Sequence, residues 1–179
     1  MGASQSGSGG GQWKGELCVE TSKRPAYRTQ DGTASTHNPK IKLDGTHIFS
    51  NSNKDQLKDE DGFNEDIEQV WTYKVSLTRY QLTNFLFYHM FIVFKTKNWY
   101  WSVEKHADKV TIQRNESMSE VRDYYRGERR IGTPQEINWA FGSKKAKHII
   151  DQVNLFDSYD PITSNCQQFA SRLYNAIAR

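Results

Sequence analysis

Two adjacent segments rich in aromatic and β-branched residues limit what this chain can fold into. They span residues 88–96 and 99–105, and only Lys97 and Asn98 lie between them. This composition favours β-strands, and two such segments joined by two residues predict an antiparallel hairpin. We therefore expect an antiparallel sheet that contains this hairpin.

The two-residue connection also predicts which residues face each other. His89 would lie opposite His106, and Phe91 would lie opposite Glu104. Opposed and diagonal side chains on one face of a sheet are close enough to interact. The hairpin therefore offers the imidazole of His89 a polar partner, either Glu104 or His106. A carboxylate bonded to one ring nitrogen would fix the tautomer and make the other nitrogen more basic.

Further strands are expected before and after the hairpin. Residues 67–75 and 110–114 have the composition of strands. The N-terminal third of the chain is rich in Gly, Asn, Asp, Ser and Thr, which is typical of loops. Within it, residues 41–43 and 47–49 are expected to form short edge strands around the turn pair Asp44-Gly45.

Apolar spacing and capping residues predict helices around and after these strands. The expected segments are 79–86, 119–129, a helix that begins at 133–136, and 144–156. Ser164 or Asn165 caps a last helix, whose apolar stripe consists of Phe169, Leu173 and Ile177. Strands followed by helices, without βαβ alternation, indicate an α+β fold in which an antiparallel sheet packs against helices.

Charge and cysteine content exclude several classes of protein. Lys and Arg number 24 against 21 Asp and Glu, and the net charge of +3 is too small for a protein whose main partner is nucleic acid. Two cysteines, Cys18 and Cys166, are too few for a disulfide-stapled miniprotein or for most thiolate metal sites. We expect no metal and no other cofactor. A set of arginines, at positions 122, 126, 129 and 130, is expected to be the solvated face of a helix.

The first residues match a lipidation signal. Gly2 follows the initiator methionine and Ser6 lies four positions later, which is the pattern of N-myristoylation; a chance match is the alternative. One acyl chain gives only reversible membrane attachment. The sequence contains neither a run of about 18 apolar residues nor the apolar core of a secretory signal. We therefore expect a cytoplasmic protein that becomes peripherally membrane-associated if Gly2 is acylated.

Composition also suggests how the chain is divided. The expected division is a flexible Gly/Ser-rich tail over residues 1–12 and a single domain over 13–179, with a loop-rich part at 13–65 and a catalytic core at 66–179.

Cys166 lies in the first turn of the last predicted helix. Free backbone N–H groups and the helix dipole favour negative charge there, so they stabilise a thiolate. Its spacing from Phe169 and Leu173 places it on the helix face that is turned towards the core. These features fit a nucleophile at the wall of a cleft and fit a buried structural cysteine equally well.

Three segments together resemble the H-box and NC-box of the permuted papain-like proteins. They are His89 in front of the apolar strand HMFIVF, the polar strand YWSVEKH at 100–106, and the helix opening Asn165-Cys166-Gln167. This group belongs to the NlpC-type superfamily, and its permuted branch includes the lecithin:retinol acyltransferase-like enzymes. Histidine before cysteine is the permuted order, whereas in papain the cysteine comes first.

The resemblance implies a circularly permuted papain-like fold and a thiol-dependent hydrolase or acyltransferase. Cys166 would be the nucleophile, His89 the general base and Glu104 the third residue, with His106 as the alternative. The substrate would be a small-molecule, lipid or peptide acyl compound. The competing interpretation is a non-catalytic interaction module on the same fold, tethered to membranes by N-myristoylation.

Two flanking residues are expected to support this site, and two features depart from the family. Asn165 either caps the helix or assists an oxyanion hole whose main donor is the backbone N–H of Cys166. Gln167 is the second supporting residue. Trp101 stands about where the acyltransferase branch typically has a second histidine, and the C-terminal membrane helix of many such enzymes is absent. Both departures weaken the expectation of a lipid substrate.

Overall fold

The computed structural model describes residues 13–21, 45–60, 62–76 and 88–179. The described strands are β1 (Glu16–Thr21), β2 (Gly45–Phe49), β3 (Gln69–Ser76), β4 (Tyr88–Lys95), β5 (Tyr100–Lys105), β6 (Lys109–Asn115), β7 (Tyr124–Tyr125), β8 (Glu128–Arg129) and β9 (Gln135–Phe141). The described helices are α1 (Met118–Asp123), α2 (His148–Gln152) and α3 (Cys166–Ile177), with a 3₁₀ helix at Lys54–Asp59. The predicted tail with Gly2, the strand at 41–43 and the helix at 79–86 lie outside the described residues.

Seven of the described strands form one sheet, in the order β2-β1-β6-β5-β4-β3-β9. Neighbouring strands are antiparallel, except β1 and β6, which are parallel. β7 and β8 pair separately as a small hairpin. Because α3 packs on β3, β4 and β5, the fold is α+β with a mostly antiparallel sheet, as predicted.

The β4–β5 hairpin has the predicted register. Lys95 pairs with Tyr100 and Ile92 with Val103, and Thr96 N–H donates to the carbonyl of Trp99 at 2.9 Å. Between residues 88 and 105, all of which the structure describes, this pairing ends at Ile92 and Val103, although both strands continue. The backbones of β4 and β5 are therefore unpaired with each other in the part that carries His89 and Glu104.

Alternation along β4 assigns its side chains to the two faces of the sheet. On one face, Ile92 belongs to the same buried cluster as Leu173 of α3. On the other face, Phe91 packs with Val121 of α1. His89 lies two residues before Phe91 and shares its face, so the imidazole is held on the side of the sheet that α1 covers.

β1 lies in a segment that was expected to be a loop. Leu17, Cys18 and Val19 are consecutive and all buried, because β1 lies inside the sheet between β2 and β6. A short buried run lacks the alternation of polar and apolar residues that identifies a half-exposed strand. The edge strand expected at 47–49 is confirmed as part of β2, which ends the sheet among the described strands.

The helix predicted at 119–129 is wrong after Asp123. α1 ends there, and β7 and β8 form a hairpin whose two connecting residues are Arg126 and Gly127. Both have positive φ, 52° and 76°, which is the geometry of the tight turn that joins antiparallel strands. The glycine at the second position favours this turn over a continued helix.

The helix predicted to begin at 133–136 is also wrong, because the chain forms β9 from Gln135 onwards. Ile137, Trp139 and Phe141 alternate with smaller or polar residues, which is the period of a strand. β9 pairs antiparallel with β3, with an irregularity between Thr72 and Tyr73. Pairing with β3 therefore outweighs the local preference of residues 133–136 for a helix start.

The helix expected at 144–156 is shorter in the structure. α2 ends at Gln152, and Val153 already has an extended backbone. Ile149, Ile150 and Val153 are nevertheless buried, as expected.

The last helix agrees with the prediction. Asn165 is its N-cap, and α3 begins at Cys166. Phe169, Leu173 and Ile177 are all buried against the sheet. The position of Cys166 at a capped helix start is therefore confirmed.

Gly142 is expected to be essential for joining β9 to the core. A Cβ at this position would lie 2.1 Å from the carbonyl oxygen of Ile67, so Gly142→Ala should lower the free energy of unfolding by about 3 kcal/mol, measured by urea denaturation. Gly127→Ala is the control, because a Cβ there meets nothing within 4 Å and only the left-handed backbone costs about 1 kcal/mol. Equal stability losses in the two variants would contradict the close approach at Gly142.

Candidate active site

The nucleophile candidate is positioned by the cap of α3. The side-chain oxygen of Asn165 accepts from the backbone N–H groups of Gln167 and Gln168, at 2.9 and 3.1 Å. In return, the side-chain oxygen of Gln168 accepts from Asn165 N–H at 2.9 Å. This capping box fixes the first turn of the helix. Of the two roles considered for Asn165, the geometry shows capping.

The thiol of Cys166 is buried at the end of β4. Its Sγ lies 3.9 Å from the carbonyl oxygen of Tyr88, and His89 is the side chain that interacts most strongly with it. Burial raises the pKa of Cys166. The interaction with His89 and its charge, together with nearby backbone N–H groups, lowers the pKa by more than burial raises it. The net effect is a lowered pKa, so the site favours the thiolate.

His89 connects the thiol to a carboxylate. Its Nε2 donates to Oε2 of Glu104 at 2.9 Å, which leaves Nδ1 as the ring nitrogen for Cys166. Burial lowers the pKa of His89, but the bonds to Cys166 and Glu104 outweigh it and raise the pKa to about 9. The geometry therefore favours an imidazolium between two anions, a thiolate and a carboxylate.

Glu104 is 0% exposed and is held by an arginine. Arg130 Nη1 donates to Oε2 at 2.9 Å, and Nη2 donates to Oε1 at 2.6 Å. Burial raises the pKa of Glu104, but the charge of Arg130 and the imidazoles of His106 and His89 lower it to well below its usual range. The carboxylate is therefore ionised and fixed in orientation.

His106, the alternative third residue, lies beside the pair instead of bonding to His89. Its ring stacks on that of His89 with centroids 4.8 Å apart and contacts Tyr125 at 4.4 Å. Its Nε2 is 3.2 Å from Oε2 of Glu104, but no hydrogen bond is formed at that angle. Among the two predicted partners, the one that bonds the imidazole of His89 is Glu104.

His89, Glu104 and His106 have the residue types of a metal site, with ligand atoms within 4.8 Å of one another. Both oxygens of the carboxylate, however, already accept from Arg130, and its positive charge opposes a cation at the same place. We interpret the cluster as a hydrogen-bond network that orients an imidazole.

Arg130 corrects the expectation that four arginines form one solvated face. Its side chain is only 4% exposed, and its guanidinium lies 4.0 Å from the ring centroid of Phe91. Arg126 and Arg129 are exposed, as expected. The sequence gives no direct sign of the burial of Arg130, because that burial depends on the β7–β8 hairpin, which was mistaken for helix.

Tyr159 is a second residue of the site that was not predicted from the sequence. It lies in the segment before α3, and Cys166 is the titratable side chain that acts on its phenol. Burial raises the pKa of Tyr159, and the charge of a thiolate at Cys166 raises it further. The phenol is therefore a neutral hydrogen-bond donor next to the sulfur.

A buried lysine holds the segment that carries this tyrosine. Lys105 is 2% exposed, and its Nζ donates to the carbonyls of Asp157 and Ser158 and to Oγ of Ser164, at 2.8, 3.1 and 2.7 Å. These bonds attach residues 157–164 to β5 immediately before the nucleophile. β5 therefore supports the site twice, through Glu104 and through its neighbour Lys105.

A cavity of about 160 Å³ lies at the end of β3 and is lined in part by Tyr88, whose carbonyl contacts the thiol. Its lining is part polar and part apolar, and consists of Lys74, Val75, Ser76, Tyr88, Thr133 and Gln135. Tyr88 links the cavity to the thiol through its carbonyl oxygen, which contacts Sγ of Cys166. The same carbonyl accepts from the side-chain amide of Gln167 at 3.4 Å. The predicted supporting residue Gln167 thus anchors α3 to β4.

Comparisons with models of protein families, with curated proteins and with solved structures found no match. Within the described part of the chain, no helix is long and apolar enough to cross a membrane.

The imidazolium of His89 is expected to depend on Glu104. In Glu104→Gln the ring loses its anionic partner, so its pKa should fall by about 1 to 3 pH units from the wild-type value of about 9. The measurement is NMR titration of the histidine ring protons. Glu128→Gln removes an exposed carboxylate on β8 and should leave the titration unchanged. A ring that titrates identically in Glu104→Gln would contradict the hydrogen bond.

Proposed function

We propose that this protein is a thiol-dependent hydrolase or acyltransferase that works through an acyl-enzyme on Cys166. The observation that carries the proposal is the chain of contacts from Cys166 to His89 to Glu104, in which the last bond is 2.9 Å long. A nucleophile, a base and an orienting group in hydrogen-bond contact are the arrangement that nucleophilic catalysis requires.

In the first half-reaction the Cys166 thiolate attacks the carbonyl carbon of an amide, ester or thioester. The carbonyl oxygen becomes an oxyanion, and in this proposal its donors are the N–H of Cys166 and the hydroxyl of Tyr159. The imidazolium of His89 then gives its proton to the leaving group as the carbon–leaving group bond breaks. The product of this step is a thioester on Cys166.

In the second half-reaction neutral His89 takes a proton from water or from an acceptor amine or alcohol. The deprotonated oxygen or nitrogen attacks the thioester, and the sulfur leaves as a thiolate. The proton stays on His89, which restores the ion pair. Glu104 keeps the ring in one orientation throughout, and its charge stabilises the imidazolium.

The proposed architecture is a circularly permuted papain-like fold. It is supported by a cysteine at the start of a helix that packs on the sheet and by a histidine on a strand under that helix start. The histidine precedes the cysteine along the chain, which is the permuted order of the H-box and NC-box proteins.

The cavity favours a small polar acyl group among the predicted small-molecule, lipid and peptide substrates. Its volume of about 160 Å³ is below the roughly 300 Å³ of ordinary ligand pockets. Lys74, Ser76 and Gln135 in its lining offer hydrogen bonds that an alkyl chain would not use. We place the acyl portion of the substrate there, with its carbonyl at Cys166.

The competing proposal is an interaction module without catalysis, cytoplasmic and reversibly attached to membranes through acylated Gly2. The exposed side chains of Ile137, Trp139 and Phe141 on β9 favour it, because exposed apolar patches mark contact surfaces. Gly2 itself lies outside the described residues.

The catalytic proposal predicts a reactive thiolate that depends on His89. Iodoacetamide labelling of the Cys166 peptide, followed by mass spectrometry across pH, should give a midpoint well below the value of about 8.5 for an ordinary thiol. In His89→Ala the midpoint should return towards that value, whereas His47→Ala on β2 should behave like the wild type. An ordinary midpoint that His89→Ala does not move would refute the proposal.

A variant of the nucleophile, Cys166→Ser, separates the enzyme from the interaction module. A panel of fluorogenic thioesters, esters and amides should acylate wild-type protein and leave Cys166→Ser unlabelled. Labelling of neither protein, together with unchanged membrane or partner binding by Cys166→Ser, would favour the module.

A further inference from the structure

The geometry points to Arg130 as a positioning residue of the thiol site: it keeps Glu104 charged and aimed at His89, and through that pair it sets the pH at which Cys166 becomes reactive. This inference rests on the proposed function and adds a residue that neither the H-box nor the NC-box contains.

Each of the three nitrogens of the Arg130 guanidinium donates a hydrogen bond. Nη1 and Nη2 donate to the two oxygens of Glu104 at 2.9 and 2.6 Å, and Nε donates to the carbonyl of Arg122 at 2.8 Å. Two parallel bonds to one carboxylate fix its plane as well as its position. Because Oε2 also accepts from His89, fixing this plane fixes the direction in which the imidazole points.

The charge of Arg130 has a separate effect. A carboxylate that is 0% exposed is strongly destabilised unless a cation is close, and without one it takes up a proton. A protonated Glu104 would no longer stabilise the imidazolium of His89. If Glu104 instead stayed ionised without Arg130, the extra negative charge would oppose a thiolate nearby. Both outcomes raise the pKa of Cys166, so the direction of the effect does not depend on which occurs.

Other titratable side chains, which belong to several elements, lie around Glu104 and His89. Among the described residues they are His106 after β5, Tyr125 on β7, Tyr159 before α3 and Cys166 on α3. None of these side chains is permanently cationic, as a guanidinium is. Arg130 therefore supplies the fixed positive charge in this group.

The β7–β8 hairpin positions the side chain of Arg130. The backbone N–H of Arg130 donates to the carbonyl of Asp123 at 2.9 Å, which closes the β7–β8 hairpin onto the end of α1. Gln113 of β6 holds the same hairpin, since its side chain accepts from Arg126 N–H at 2.6 Å and donates to the carbonyl of Tyr124 at 3.2 Å. The hairpin packs on the sheet face that carries His89, and Arg130 follows directly after it.

The test is the pH profile of Cys166 alkylation by iodoacetamide in the full chain. Arg130→Met should raise the midpoint by about 1 pH unit or more. Arg130→Lys keeps the charge but loses the two-pronged bond, so it should give a smaller rise and a lower plateau rate. Arg129→Met removes the same charge from the exposed neighbouring position and should match the wild type.

A double-mutant cycle distinguishes action through Glu104 from a general effect of charge. In a Glu104→Gln background, Arg130→Met should shift the midpoint by much less than it does alone, because its target is already removed. Equal shifts in the two backgrounds would overturn the inference. Circular dichroism and thermal unfolding check that each variant is folded, and Arg130→Lys replaces Arg130→Met if the latter is not.

The outcome also separates this inference from the proposed function. If the alkylation midpoint of the wild-type thiol is ordinary and does not change in His89→Ala, both the proposed function and the role of Arg130 are refuted. A lowered midpoint that depends on His89, but is unchanged in both Arg130→Met and Arg130→Lys, removes only the role of Arg130.

Discussion

The arrangement around the thiol depends on one buried carboxylate. Glu104 is 0% exposed, and an uncompensated anion in that position would cost several kcal/mol. Arg130 compensates it on one side and His89 shares Oε2 on the other, so the carboxylate serves as the junction between a hairpin and a strand. Cys166, His89, Glu104 and Arg130 together carry two negative and two positive charges when the thiol is ionised. This neutral total allows an ion pair to exist away from solvent.

The parts of the site that sequence could predict are those set by local geometry. The two-residue loop fixed the β4–β5 register, so residue spacing predicted that His89 lies near Glu104 or His106, and the structure shows which of the two bonds the imidazole. The capping residues fixed the start of α3 and thus the position of Cys166 at a helix terminus. These signals depend only on a few neighbouring residues, so they can be recognised in a single sequence.

The parts that failed depend on distant partners. Residues 133–136 have the sequence of a helix start, but pairing with β3 draws them into an edge strand. Arg130 resembles its exposed neighbours in the sequence, and only the tight turn at Arg126 and Gly127 directs it to Glu104. Tyr159 reaches Cys166 because a lysine on β5 holds its loop. No pattern of residue types encodes such long-range contacts.

Two successive residues of β5 support the base and the nucleophile. Glu104 orients the base, and Lys105 holds the loop before the nucleophile. Adjacent side chains on a strand project to opposite faces, so the two duties are separated by a single peptide unit. An insertion or deletion of one residue in this strand would exchange the two faces and remove both supports at once. Over evolution, β5 should therefore tolerate substitution far better than any change in its length.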